Sequence, residues 1–262
     1  MDDLKSLWEN GNSMHKYRCK TCFFLCHGKS IEELELRINE FKDFDVLWGS
    51  MSSFDIHDSY TTKAGINLNV VYDCSTVANA KDYELSVRIP RLKKFLNLNQ
   101  NNHYICNRTG RGNLWQLRQD IYPEFNREYW SQIIYTEDIG VDPTPYCVSL
   151  HLYIAIMSLL GIDKIILFGA DGGGIHGNNV ESYYKSDEVL ADKLVAGNVN
   201  YNMVGDTNNI NSTFASHMFH NLGFIPNVIN CSPYSTYTVF RQMNYNETLE
   251  YLKNEVPLRN FR

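Results

Sequence analysis

The sequence predicts an α/β fold, a mainly parallel sheet with helices on both faces, in a single domain spanning residues 1–262. Three observations carry the prediction. Short apolar runs without polar alternation, the mark of strands buried on both faces, recur along the chain. Between them lie segments whose apolar residues return at helical spacing, so strands and helices alternate. The 262 residues, 44% hydrophobic and 21% charged, are enough for one full core, and no repeat, low-complexity tract or linker divides them.

In chain order, residues 1–18 are polar and read as a short helix or arm. The apolar run at residues 21–26 is the first strand, broken by His27-Gly28-Lys29-Ser30. Ile31, Leu34, Ile38 and Phe41 then keep helical spacing, with Ser30 placed to cap the helix and Glu32 and Glu33 in its first turn. Asp45-Val46-Leu47-Trp48 is the second strand, ending in the small polar run Gly49-Ser50-Met51-Ser52-Ser53. Residues 68–72 are the third, ending at Asp73-Cys74-Ser75. The Asn-, aromatic- and base-rich stretch 97–135 carries no clear period. Residues 148–160 form a buried helix stopped by Gly161, and residues 164–168 are the clearest strand, running into Gly169-Ala170-Asp171-Gly172-Gly173-Gly174. A polar segment at 175–210 is expected to act as a lid. A helix follows at about 212–221, then a strand at 228–232 and a closing helix at 245–253.

With a formal net charge of -6, the chain has no general pull on nucleic acid or anionic lipid. No apolar run reaches the roughly 18–20 residues of a membrane span, and the acidic start Met1-Asp2-Asp3-Leu4 is unlike a secretory leader, so a soluble, cytoplasmic protein is expected. The seven cysteines, at 19, 22, 26, 74, 106, 147 and 231, are odd in number and scattered, as free cytosolic thiols are. Cys19-x-x-Cys22 with Cys26 lacks a second ligand pair, and two of the three fall in a buried strand, so no metal site is expected.

Four motifs carry possible chemistry. Gly28 permits a tight turn, and the N–H groups opening the next helix favour an anion, with Lys29 adding charge and Ser30 a hydroxyl. This is not a P-loop, because the second glycine and its spacing are missing, and a plain connecting turn is the alternative. In Gly169-Ala170-Asp171-Gly172, a carboxylate follows a central strand at the edge where open α/β sheets bind ligands, suited to a ribose hydroxyl or a metal ion. The alternative there is a flexible loop with a solvated Asp. Tyr183-Tyr184-Lys185 offers phenolic and ammonium donors to a phosphate, or else lid packing. Gly205-Asp206-Thr207-Asn208-Asn209 precedes a helix, where Asp206 is a general base, a cation ligand or an ordinary cap. His176, His217 and His220 lack ligand-like spacing, and the last two suit helix packing or surface. Arg88, Arg91, Lys93 and Lys94 read as a solvated helix face, whereas Arg108, Arg111 and Arg118 are candidates to approach an anion.

Taken in order, residues 23–34, 45–54, 72–75, 149–171 and 205–219 resemble bacterial sialyltransferases of the small Campylobacter type. They also resemble the broader family that holds flagellin-motility glycosyltransferases and 6-hydroxymethylpterin diphosphokinase-like proteins. The first turn of the sialyltransferases, typically Asn-Gly-Pro-Ser-Leu, is here His27-Gly28-Lys29-Ser30-Ile31, keeping Gly and Ser. The Asn after each of the next two strands is replaced by Ser50 and Asp73. Their Thr-Ser-Gly at the buried helix is Val148-Ser149-Leu150, and their Gly-x-Asp is kept as Gly169-Ala170-Asp171. Tyr183 and Tyr184 stand near the places of two donor-phosphate tyrosines, and Asp206 replaces the family's His base.

The resemblance implies a Rossmann-like glycosyltransferase moving a sugar from a nucleotide-activated donor, a CMP-sugar by preference, to a surface glycan. His27, Gly28, Lys29, Ser30, Ser50, Asp73, Ser149, Gly169, Asp171, Gly172, Tyr183 and Tyr184 would hold the donor, with Asp206 as catalytic base. The broader family implies instead pyrophosphate transfer from ATP to a small alcohol with Mg²⁺, using Asp73, Asp171 and Asp206. Loss of the His and both Asn residues suits a third reading, a nucleotide-binding protein without turnover.

Overall fold

The computed structural model describes residues 21–26, 28, 30–51, 66, 68–73, 89–100, 102–106, 128–135, 139–140, 149–172, 203–233 and 235–258. Within them eight strands form one sheet: β1 (Thr21–Leu25), β2 (Leu47–Met51), β3 (Val70–Asp73), β4 (His103–Cys106), β5 (Ile133–Tyr135), β6 (Lys164–Phe168), β7 (Asn227–Asn230) and β8 (Arg241–Gln242). Their order is β5-β4-β3-β2-β1-β6-β7-β8, and every pairing is parallel. This is a Rossmann-like α/β fold. The chain winds outward from β1 in one direction as far as β5, then returns to the other side of β1 for β6. The sheet's topological switch point therefore lies between β1 and β6.

Five helices cover it: α1 (Ile31–Phe41), α2 (Ile89–Leu98), α3 (Ser149–Leu159), α4 (Met203–Leu222) and α5 (Tyr245–Glu255). Alternation along β1 explains how both faces are filled. Phe23 and Leu25 enter a core with Ile31, Leu34 and Phe41 of α1, Leu92 and Phe95 of α2, and Tyr245 and Leu252 of α5. Cys22 and Phe24 enter the opposite core with Tyr153 and Ile156 of α3 and Phe214 and Met218 of α4. Phe23 meets Phe41, Trp48 and Phe168 edge-on at centroid distances of 6.2, 5.0 and 5.3 Å. Burying each such ring contributes about 1.5–3 kcal/mol, which fixes the register of the central strand.

Helix ends follow local chemistry. Gly161, at φ 85°, closes α3 in a Schellman arrangement: its N–H donates to Ser158 O and that of Ile162 to Met157 O, both at 3.0 Å. Asn244 caps α5 with a capping box, its Oδ1 accepting from Glu247 N–H at 3.0 Å. Ser30 behaves otherwise. It takes helical backbone angles and makes no side-chain cap, contrary to the sequence expectation, because its hydroxyl is engaged elsewhere.

Several boundaries differ from those expected. β2 continues through Gly49 and Ser50, which pair with Phe24 and Leu25, so these are strand residues and not a polar tip. The stretch without clear period holds the end of α2, β4, a 3₁₀ turn at Trp130–Gln132 and β5, elements too short for a period to register. β7 ends at Asn230, leaving Cys231 and Ser232 beyond it. The largest difference is α4, which begins at Met203 and takes in Gly205-Asp206-Thr207-Asn208-Asn209. That segment is helix, not a loop before one. The proposed lid thus loses residues 203–210 to α4; its remainder, like residues 1–18, lies outside the described residues. Among the described residues, no helix is long and apolar enough to cross a membrane.

Candidate functional site

In an all-parallel sheet each strand delivers its following loop to the same edge, and ligands bind where the winding reverses. Here that crevice is flanked by the loops after β1 and β6. Leu25 and Phe168 are level in the ladder, and two further backbone bonds extend the pairing past the strands: Cys26 N–H to Phe168 O and Gly28 N–H to Gly169 O, both at 2.7 Å. Gly169 turns the chain with φ 73° and Gly172 with φ 63°. The pairing brings Gly28 against Asp171. A Cβ on Gly28 would lie 2.5 Å from the Asp171 carboxyl and from Gly169 O, so only glycine fits.

Asp171 is the hub. Its Oδ2 accepts the Ser30 N–H at 2.9 Å, and its Oδ1 accepts short hydrogen bonds from the hydroxyls of Ser30 and Ser232. One carboxylate therefore ties together the segments following β1, β6 and β7. The loop after β7 is fastened to the same place: Thr236 N–H donates to Asp171 O at 3.2 Å, while Ser235 Oγ and Asn230 Nδ2 donate to Ala170 O at 2.7 and 2.9 Å. Behind Ser30, the Tyr245 hydroxyl donates to its carbonyl oxygen.

The nearby thiols are not poised for chemistry. Burial first, and the charge of Asp171 second, push the Cys26 thiol far up. Burial likewise pushes Cys231 up to about 12, and Thr248 Oγ1 donates to its sulfur at 3.1 Å. Both are protonated at neutral pH and act as small core residues. Cys22 is also buried, its sulfur 3.0 Å from the Tyr153 hydroxyl. Among the described residues, no three of His, Cys, Asp or Glu group together to hold a metal.

The sequence-predicted residues fall in three sets. Gly28, Ser30, Gly169, Asp171 and Gly172 meet at the switch point. Ser50 and Asp73 lie at the carboxyl ends of β2 and β3, Ser50 fully buried, and Ser149 opens α3. Asp206 lies in the first turn of α4. Because α4 returns the chain from the carboxyl end of β6 to the start of β7, that turn is at the same sheet edge. Asn211, two turns on, holds it there: its Nδ2 donates to Thr236 O and its Oδ1 accepts Thr238 N–H, both at 2.9 Å. His27, Lys29, Tyr183, Tyr184, Lys185, His176, Arg88, Arg108, Arg111 and Arg118 lie outside the described residues. Lys94 is exposed and Lys93 pairs with Glu128 at 3.1 Å, as on a solvated face. His217 is buried and His220 exposed.

Sequence reasoning missed Ser232 and Tyr245. Ser232 carried a usable signal, since it follows an apolar strand much as Asp171 follows β6. Tyr245 carried none, because its role depends on a contact across most of the chain.

No protein-family model matches this chain, and no curated protein matches it. Among solved structures, it is similar to the sialyltransferase CstII from Campylobacter jejuni, in complex with a substrate analogue, cytidine-5'-monophosphate. The identity is 15%, the TM-score 0.49, and the match covers 86% of this chain and 85% of that one.

Proposed function

We propose that this chain is a glycosyltransferase of sialyltransferase-like type, moving a sugar from a nucleotide-activated donor, a CMP-sugar by preference, to a hydroxyl of a surface glycan. The observation that carries the reading is the meeting of Gly28, Ser30 and Asp171 at the β1/β6 switch point, where parallel α/β sheets take nucleotides. In this reading the donor lies across the carboxyl ends of β1, β2, β3 and β6, reaching Ser50, Asp73 and Ser149. Tyr183 and Tyr184 hold its phosphate. Asp206 takes the proton of the acceptor hydroxyl as that oxygen bonds to the anomeric carbon and the nucleotide departs. Fixing donor, acceptor and base together lowers the barrier through orientation and through polar stabilisation of the leaving phosphate.

The test is a thermal-shift panel of CMP, CDP, UDP, GDP and ATP, each with and without Mg²⁺. A nucleotide at about 100 times its dissociation constant stabilises the fold by roughly 2.7 kcal/mol. A CMP shift without metal is expected. A shift with ATP and Mg²⁺ alone would replace the reading with pyrophosphate transfer, and silence across the panel would remove the nucleotide site.

A further inference from the structure

The N-terminus of α1 is the position in this crevice best suited to an anion. It has the N–H of Ser30, the residue that precedes the helix, the Ser30 hydroxyl, the Ser232 hydroxyl and the positive end of an 11-residue helix. All three donors point at the protein's own carboxylate. We infer that Asp171 is a specificity-determining residue that fills the anion seat of α1, so that the crevice turns phosphate away and takes the uncharged, hydroxyl-bearing end of a ligand.

Three observations on different groups support this. The three donors gathered at this point are already donated to Asp171: the Ser30 N–H to Oδ2 and both hydroxyls to Oδ1. The seat is also closed in space, since the Gly28 backbone lies against the carboxyl so tightly that even a Cβ would clash. Finally, the seat is held from behind. Tyr245 fixes the Ser30 carbonyl, and the loop carrying Ser232 is bonded to the Asp171 and Ala170 carbonyls through Thr236 and Ser235.

Acceptor capacity gives the ligand class. A carboxylate offers about four acceptor positions, and Asp171 uses two at Oδ1 and one at Oδ2. Oδ2 keeps one more, on a residue that is only partly buried. An uncharged ligand hydroxyl can donate there, whereas a phosphate brings its own negative charge and ionised oxygens to a site that already holds a negative charge. This inference deepens the nucleotide-sugar reading and rests on it for the ligand's identity. It orients the bound molecule with a hydroxyl-bearing end at β1, β6 and β7 and its phosphate elsewhere along the edge.

The experiment follows the Ser30 amide resonance of the full chain while inorganic phosphate is titrated in at constant ionic strength. In the wild-type chain the resonance is expected to stay still. In Asp171→Ser, which vacates the seat and leaves its donors, phosphate is expected to move it and to bind roughly tenfold or more tighter than in the wild type. Movement in the wild type would overturn the inference, even if the variant proved unable to fold. A folded Asp171→Ser chain that ignores phosphate would overturn it as well. Because the titration uses no nucleotide, its outcome is independent of the panel that tests the transferase reading.

Discussion

The phenol of Tyr245 donates a 3.0 Å hydrogen bond to the carbonyl oxygen of Ser30, coupling the first residue of the last helix to the turn that opens the first. The ring is buried, edge-on to Phe41 at 5.9 Å and tilted against Phe168 at 5.8 Å. Packing and hydrogen bond can therefore be separated. Tyr245→Phe keeps the ring and should lower stability by about 1 kcal/mol in urea unfolding, the Ser30 carbonyl still accepting from Glu33 N–H at 3.3 Å. Tyr245→Ala should cost about 3–5 kcal/mol. Equal losses in the two variants would mean that the ring's packing is not what matters.

Gly28→Ala tests the fit of the two loops. The added methyl group meets the Asp171 carboxyl and Gly169 O at 2.5 Å, and neither backbone can retreat without opening the ladder extension beyond β1. A destabilisation of about 1–3 kcal/mol is expected. Nucleotide affinity by calorimetry should fall roughly tenfold with the displaced turn. An unchanged midpoint and affinity would show that the loops are not packed as described.

Stability should also depend on pH through His151. It is fully buried between α3 and α4, stacked on His217 at 5.6 Å and edge-on to Phe214 at 5.2 Å. Burial, assisted by His217, pushes its pKa from 6.5 down to about 3. The unfolded chain thus takes up a proton, between these values, that the folded chain refuses. The contribution is complete above about pH 6.5 and declines as pH falls toward 3, by up to about 1.4 kcal/mol per pH unit. Urea midpoints at pH 7 and pH 5 should separate further for the wild type than for His151→Leu, whereas parallel declines would place the dependence in other groups.

Asp206→Ala addresses catalysis. With Asp206 as base, transfer should slow by about 10²–10⁴-fold while donor affinity stays close to that of the wild type. Product formation at saturating donor measures the first and calorimetry the second. Full turnover in the variant would remove Asp206 from the mechanism.

The layered fold was readable because β1, α1, α3 and β6 each carry a strong, self-consistent pattern. The unbroken apolar run at residues 164–168 sits on the sheet's central axis, where burial on both sides forces such composition. β8 was not readable, because it consists of two exposed polar residues, Arg241 and Gln242, with no apolar pattern, which join the sheet by pairing with β7. α4 was misread at its start because Gly205, Asp206, Asn208 and Asn209 are weak helix formers, and Asn211 secures the helix through contacts remote in sequence. At the site, Asp171 and Gly28 were visible as a carboxylate and a glycine after strands. That the carboxylate satisfies the helix end itself was not visible, since both partners had independent local explanations.

The sheet's winding order also sets a timetable for biosynthesis. β1 finds β2 within a few dozen residues, but its other neighbour, β6, comes much later, and Ser30 waits for a partner 141 positions downstream. At about 5–20 residues per second, a ribosome needs roughly 7–28 s to supply it. During that interval one flank of Phe23 and Phe24 has no strand to cover it. The crevice between β1 and β6 thus cannot form until residue 168 has cleared the exit tunnel, and until then the uncovered flank of β1 exposes the nascent chain to aggregation.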